Sequence, residues 1–213
     1  GDHVFSDAMI DLELLGLEYG RPIIQIGVTL FTLASPESEF VTQVFNVRVD
    51  DAEMENACPT TMEWWQQTDA ELLKALLSSG AASKTLEGTL HDFCGYLETC
   101  SPARFWADYT HFDIAHLQLA MQRYGIDAPW MHNQVHASSD VKLMCRMLLG
   151  AEQEVAPHAG RREHEAGSDT LQQALELKAW FRQLATALPA TVMGTLMGMA
   201  SDDLPQQAAH LKN

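Results

Sequence analysis

A short apolar stretch near the start of the chain is interrupted by two acidic residues. Residues 9–16 read MIDLELLG, with Asp11 and Glu13 inside an otherwise apolar run. Apolar runs of this length, bounded by turn residues, are typical of buried strands. Side chains alternate between the faces of a strand, so both carboxylates point to the same face, with Cα atoms about 6.6 Å apart.

Two carboxylates on a buried strand face repel each other and lose their hydration. A pair of divalent cations about 3.5–4 Å apart relieves both costs, and such a pair is suited to phosphoryl chemistry. The simpler alternative is a strand that leaves the core at this point and exposes its acids to water. The octapeptide alone does not decide between the two.

Composition favours one soluble domain over residues 1–213, with a helical extension over 189–213. The hydrophobic fraction of 46% is enough for a substantial core. No apolar stretch reaches about 18 residues, so we expect no transmembrane helix and no membrane partner. The first residues lack the basic and apolar regions of a signal peptide. The four cysteines form no C-x-x-C pair, which favours reduced thiols and a cytoplasmic location.

The formal net charge of −16 argues against a protein that coats long nucleic acids through its overall field. It does not argue against a nuclease, because an acidic site that holds Mg²⁺ attracts a phosphate locally.

The hydrophobic pattern predicts three strands followed by alternating helices and strands. The second and third strands are expected over 23–34 and 40–50, and two short strands over 104–109 and 134–137. Helices are predicted around 62–65, over 70–77, 85–99, 112–124 and 139–150, and from residue 168 or 169 onward. This order indicates an α/β layered fold with a mixed sheet, in which two strands run parallel to the first.

Three further polar residues stand at the predicted element boundaries. Asp113 opens a helix directly after a strand, and Asp169 lies in the first turn of the last long helix, where the helix dipole favours a carboxylate. Either residue taken alone is usually a helix cap. His164 lies in the polar segment 151–167, predicted to be a mobile loop that swings over the acids, although a lone loop histidine is most often simply solvated.

Taken in order, these residues resemble the DEDDh group of the DnaQ-like 3′–5′ exonucleases. The pattern is D-x-E at Asp11 and Glu13, then Asp113, then H-x4-D at His164 and Asp169. The segments RPIIQIG, EWWQQTDAELLKAL, FWADYTHFDIAHLQLAMQRYGIDAPW and SDVKLMCRML resemble the phage-type and mycobacterial-type 3′–5′ exoribonuclease branch. One departure is the extra acid Asp108, a competing ligand in a stretch that is usually rich in glycine and asparagine.

The resemblance implies a ribonuclease H-like three-layer fold with a five-stranded mixed sheet of order 3-2-1-4-5. It implies hydrolysis from free 3′ ends of single-stranded nucleic acid, RNA favoured, with release of 5′-mononucleotides and two Mg²⁺ or Mn²⁺ ions as cofactors. Asp11 would bridge the ions, Glu13 and Asp169 would complete one site, and Asp113 would serve the other through water. His164 would take a proton from the attacking water. The related enzymes commonly form homodimers, and the apolar segment after residue 189 is expected to supply contact area.

The resemblance also suggests contacts with the terminal nucleotide. We expect Leu14 and Leu15 to form a wedge beside it, with Phe112 and Trp65 near the base. Trp64 is expected in the core. Arg161 and Arg162 either contact phosphate or simply solvate their loop.

Two other classes of protein remain compatible with parts of this pattern. One is an inactive module that binds nucleotides or RNA ends; the presence of all five catalytic-type residues argues against it. The other is a polynucleotidyl transferase or ribonuclease H, whose clusters contain only carboxylates, so His164 is the discriminating residue. A 3′–5′ exodeoxyribonuclease of the same fold also stays open, because no residue can be assigned to the 2′-hydroxyl contact that separates RNA from DNA.

Overall fold

A computed structural model describes residues 4–37 and 39–188, and its centre is a five-stranded sheet. The strands are β1 (Asp7–Leu14), β2 (Ile23–Phe31), β3 (Val41–Asn46), β4 (Arg104–Ala107) and β5 (Val135–Ala137). β2 pairs antiparallel with β1 and β3, whereas β4 runs parallel to β1 and β5 parallel to β4. The resulting order, β3-β2-β1-β4-β5, confirms the predicted sheet.

Six α-helices surround the sheet in the described part of the chain. They are α1 (Asp51–Met54), α2 (Pro59–Ala81), α3 (Leu86–Cys100), α4 (Asp113–Arg123), α5 (Ser138–Leu149) and α6 (Ala166–Ala187), and a 3₁₀ turn covers His132–Gln134. Most predicted helices are present with ends shifted by one to three residues.

The two helices predicted around 62–65 and over 70–77 are both present, and together they make up α2. They meet at a kink at Asp69, whose backbone is non-helical at φ −158° and ψ 77°. The Asp69 carboxylate accepts the Leu72 N–H at 3.0 Å and so caps the second half of the helix. The hydrophobic pattern did not predict the short helix α1, which Asp50 caps by accepting the Glu53 N–H.

The two faces of β1 pack against different helices. Ala8, Ile10, Leu12 and Leu14 belong to a core cluster shared with α3 and α4. Met9 belongs to a second cluster, with Trp106 and with Ala174 and Leu177 of α6. Because side chains alternate along a strand, Asp11 and Glu13 lie on the Met9 face, toward α6.

A close contact brings the N-terminus of α6 onto the sheet beside Asp11. Gly27 of β2, the register partner of Asp11, leaves room for the Ala166 carbonyl, which a Cβ at this position would strike. The buried Gln25 side chain accepts the Ala166 N–H at 2.8 Å. These contacts hold the first turn of α6, and therefore Asp169, over the acidic part of β1.

The predictions for residues 189–213, a helical extension that supplies contact area for a dimer, lie outside the described residues. Across the described ranges, no helix combines the length and apolar character that a membrane crossing requires.

Candidate active site

Three acidic side chains converge where the N-terminus of α6 meets β1. Asp11, Glu13 and Asp169 each offer a carboxylate oxygen, and these oxygens lie within 4.8 Å of one another. Glu13 is only 8% exposed, and the other two are half-buried. The same-face arrangement predicted for the D-x-E pair is therefore present, and α6 adds the third acid.

Burial and mutual repulsion make this cluster hard to ionise without a counterion. Burial raises the pKa of the Asp11 carboxyl well above its ordinary value, and the charges of Asp113 and Asp169 raise it further. The pKa of Glu13 is raised first by burial and then by Asp11 and Asp169. Burial also raises the pKa of Asp169, while the nearby Arg161 guanidinium opposes that rise. Added positive charge at this point would let all three acids ionise.

Asp113 lies next to the three acids without joining them. It is the first residue of α4, it is buried, and its Oδ1 accepts the Leu12 N–H at 3.3 Å. Burial raises the pKa of Asp113 to about 7, although that hydrogen bond lowers it. Asp108, the extra acid after β4, is half-buried and accepts the Ser138 hydroxyl at 3.5 Å. Like Asp113, it stands outside the three-acid group, and its charge contributes to the raised pKa values of Asp113 and Asp11.

His164 is tied to the cluster through its backbone. Its φ of 63° is in the left-handed region, which is unfavourable for a residue with a Cβ. This turn directs its N–H to the Asp169 Oδ2, at 3.1 Å. The imidazole rests edge-on against Trp64, with ring centroids 4.9 Å apart, and against Trp65 at 6.1 Å.

Hydrogen bonds fasten the rest of the His164 loop to the start of α6. The His158 ring contacts the Ser168 carbonyl at 2.9 Å, and the Arg162 N–H donates to the Ser168 hydroxyl at 2.8 Å. His158 is thus engaged at Ser168, which leaves His164 as the loop histidine beside Asp169. Movement of this loop on substrate binding stays a prediction.

An apolar cavity of 370 Å³ opens beside Glu13. Its lining includes three of the four predicted substrate contacts, Leu14, Trp65 and Phe112. The fourth, Leu15, is fully buried in the core cluster of α2 and does not line the cavity. Trp64, which was expected in the core, is 42% exposed and lies in the cavity wall. Trp65 is the buried tryptophan, at 1% exposure.

Helical geometry explains the tryptophan placement. Trp65 is buried in one cluster with Leu72, Leu73 and Leu76, which lie beyond the kink at Asp69. Trp64 is one residue earlier, about 100° around the helix from the buried side of Trp65.

Sequence reasoning missed two kinds of residue around the site. Thr60 and Thr61, at the start of α2, line the cavity. Gln173 of α6 directs its Nε2 to the Asp11 Oδ1 at 3.5 Å. Gln173 follows Asp169 by four residues, so the two share a helix face, and that spacing was the signal that could have found it.

The five-stranded sheet and its flanking helices have a ribonuclease H-like fold. Solved structures with a similar fold include Pop2p of S. pombe in its Mg²⁺- and Mn²⁺-bound form, 16% identical over 82% of each chain, with a TM-score of 0.50. The nuclease domain of 3'hExo, a DEDDh family member bound to rAMP, is 16% identical over 87% of this chain and 95% of that one, with a TM-score of 0.50. The ribonuclease domain of yeast Pop2 is 13% identical over 86% and 78%, with a TM-score of 0.51.

A family model places the chain more narrowly. The model of the Rv2179c-like 3′–5′ exoribonuclease domain matches residues 6–181. The chain therefore belongs to the Rv2179c-like 3′–5′ exoribonuclease domain family, and it is a hydrolytic 3′–5′ exonuclease, as the DEDDh pattern predicted. No curated protein matches it significantly.

Proposed function

We propose that this protein removes 5′-mononucleotides from the free 3′ ends of single-stranded RNA, using two Mg²⁺ or Mn²⁺ ions. The observation that carries the proposal is the group of three carboxylates, with oxygens within 4.8 Å of one another, at the edge of an apolar cavity.

The three acids fit a hard divalent cation. Carboxylate oxygens are the donors that Mg²⁺ and Mn²⁺ prefer. Within residues 4–37 and 39–188, Arg161 supplies the one cationic side chain within 4 Å of these carboxylates, so their charge is largely uncompensated. Burial, followed by the repulsion of the neighbouring acids, raises the pKa of both Asp11 and Glu13, and a bound cation would offset both causes. The related fold of Pop2p was solved with Mg²⁺ and Mn²⁺ bound.

The roles of the protein groups follow from their positions. Bound metal ions would polarise the scissile phosphate and make the attacking water more acidic. Asp11, Glu13 and Asp169 would hold the ions, and Asp113 would orient a water beside Asp11. His164 would accept the proton of the attacking water, since a neutral imidazole is the usual base near neutral pH.

The apolar cavity suits one terminal nucleotide. Trp64 is half-exposed in the wall of this cavity, where a base can stack on its ring. Phe112 and Leu14 offer apolar walls, and Thr60 and Thr61 line the same cavity with hydroxyl groups. A cavity of 370 Å³ is of the size that holds a small ligand, which supports action at chain ends rather than inside a strand. The net charge of −16 gives little grip on the rest of the polymer, so we expect poor processivity.

The proposal extends to assembly and location. Helix α5 exposes five large apolar side chains, Leu143, Met144, Met147, Leu148 and Leu149. Exposed apolar patches of this kind often mark protein interfaces, and this one supports a homodimer. All four cysteines are free thiols, which supports a reducing compartment such as the cytoplasm. Light scattering tests the assembly, and a monomer mass at micromolar concentration would contradict it.

Product analysis on matched substrates tests the substrate preference. Single-stranded RNA, single-stranded DNA and duplexes with 3′ overhangs of one sequence are incubated with the protein in Mg²⁺ or Mn²⁺. We expect 5′-mononucleotides from single-stranded RNA at the highest rate. Faster hydrolysis of the DNA would contradict the assignment to RNA, although the exonuclease activity itself would stand.

A further inference from the structure

Both carboxylate oxygens of Asp169 are occupied by groups of one loop. Arg161 Nη1 lies 2.8 Å from Oδ1, and the His164 N–H donates to Oδ2 at 3.1 Å. Arg161 Nη1 also donates to the Ser168 carbonyl at 3.0 Å. In the described part of the chain, this guanidinium is the single cationic side chain that pairs with the three-acid cluster. In the metal-free protein, Arg161 therefore partly compensates the negative charge that a metal ion would compensate in the loaded site.

The rest of the Arg161 guanidinium is available for another partner. Its side chain is 22% exposed, so it stands at the rim of the site rather than in the core. Within the described ranges, no hydrogen bond uses its Nε or Nη2. A guanidinium with free donors in a planar fork is the group that best matches two oxygens of a phosphate.

We propose that Arg161 exchanges partners during the reaction, pairing with Asp169 in the metal-free protein and with the substrate phosphate once metal and RNA are bound. This inference rests on the proposed metal-dependent function. A cation held by Asp11, Glu13 and Asp169 competes with Arg161 for the Asp169 carboxylate and repels the guanidinium charge, so the ion pair weakens. The phosphodiester that enters the site brings negative charge back, and Arg161 is placed to bind it.

Two opposite effects follow from such an exchange. Arg161 competes with metal ions for Asp169, so its removal should strengthen metal binding in the absence of nucleic acid. Arg161 binds phosphate in the loaded site, so its removal should weaken nucleotide binding. If Arg161 only stabilised its loop, its removal would not strengthen metal binding, and it would not strengthen metal binding while weakening nucleotide binding.

The neighbouring arginine offers a matched control. Arg162 lies in the same loop, but its guanidinium reaches Asp69 of α2, at 3.7 Å, instead of Asp169. Its backbone N–H bonds to the Ser168 hydroxyl, and a side-chain substitution keeps that bond. Arg161→Gln and Arg162→Gln therefore remove the same charge from the same loop and differ only in the partner that is lost.

Calorimetric titration of the full chain with Mn²⁺ alone, and then with adenosine 5′-monophosphate at saturating Mn²⁺, measures both effects. We expect Arg161→Gln to bind Mn²⁺ about tenfold more tightly than the wild type and the monophosphate about tenfold more weakly, each the size of one charge-assisted hydrogen bond. Arg162→Gln should match the wild type in both titrations.

The proposed exchange is overturned if Arg161→Gln binds Mn²⁺ no more tightly than Arg162→Gln does. It is also overturned if the two variants bind the monophosphate equally well. If circular dichroism shows that Arg161→Gln does not fold, Arg161→Lys replaces it. That variant keeps the charge without the fork, and it should lose monophosphate affinity about threefold or more; an unchanged affinity overturns the proposal. A wild-type protein that binds no Mn²⁺ contradicts the metal-dependent function itself, which separates the two failures.

Discussion

Asp7 and Asp11 lie on the same face of β1 but have different surroundings. Asp7 is fully buried and accepts hydrogen bonds from the side chains of Arg104, at 2.6 and 3.0 Å, and Trp106, at 2.9 Å. Asp11 has one hydrogen-bonding side chain among the described residues, Gln173 at 3.5 Å, and acids on its other sides. Asp7 therefore forms a structural ion pair with Arg104, whereas Asp11 needs a bound cation to compensate its charge.

This difference predicts opposite effects of the same substitution. Asp7→Asn leaves the Arg104 charge without its partner and should lower the free energy of unfolding by about 3 kcal/mol or more. Asp11→Asn removes repulsion and should raise the unfolding free energy of the metal-free protein by on the order of 1 kcal/mol, while abolishing hydrolysis. Urea unfolding in a chelator and a turnover assay measure both. Destabilisation by Asp11→Asn would mean that the cluster is a structural network.

The two tryptophans of α2 form a second matched pair. Trp65→Ala empties a core position and should cost about 3–5 kcal/mol of stability. Trp64→Ala removes a half-exposed ring, so it should leave stability nearly unchanged and raise KM for RNA about tenfold, the size of one base stack. Thermal unfolding and steady-state kinetics separate these effects, and an unchanged KM in Trp64→Ala would contradict the stacking role.

At the scale of elements, the His164 loop joins the site to α6. His164→Ala should lower turnover about 10²–10⁴-fold, the range expected for loss of a general base, with little change in metal binding. His158→Ala is the control, because that ring is engaged at Ser168. Loss of activity in His158→Ala with retention in His164→Ala would show that the roles are misassigned.

The elements themselves were largely predictable from the sequence. The alternation on β1 placed Asp11 and Glu13 together, and the family resemblance supplied the sheet order. The break at Asp69 was also indicated, since the helical pattern predicted separate helices on its two sides. The partner of Arg161 was not predictable, because the loop conformation that brings it to Asp169 depends on tertiary contacts with α6.

At the scale of the whole molecule, the acidic cluster links stability to pH. The pKa of Asp113 is raised to about 7, and the pKa values of Asp11 and Glu13 are raised as well. The folded metal-free protein therefore keeps protons on these acids at pH values where the unfolded chain has released them. This stabilisation is full below about pH 4 and is lost as pH rises through the folded pKa values. His116 and His136, whose pKa values burial lowers, act in the opposite direction around pH 6.5.

Between pH 6.5 and about 8, we therefore expect the melting temperature of the metal-free protein to fall. The fall should be shallower in Asp11→Asn, and this difference separates the contribution of the acidic cluster from that of the histidines. Saturating Mg²⁺ should reverse the fall at the upper end of this pH range. Calorimetric scans in chelator and in Mg²⁺ measure the effect. A melting temperature that rises equally in both proteins would contradict the charge assignment.

The central claim is that the acids of β1 and α6 drive hydrolysis from the 3′ end, and a time course on 5′-labelled single-stranded RNA tests it most directly. In Mg²⁺ or Mn²⁺ the wild-type protein should produce a ladder that shortens one nucleotide at a time from the 3′ end. The wild-type protein in a metal chelator and the Asp11→Asn variant should both leave the RNA intact. A circular RNA of the same sequence should resist cleavage by the wild-type protein. Cut circles, or a ladder that persists in Asp11→Asn, would contradict the account.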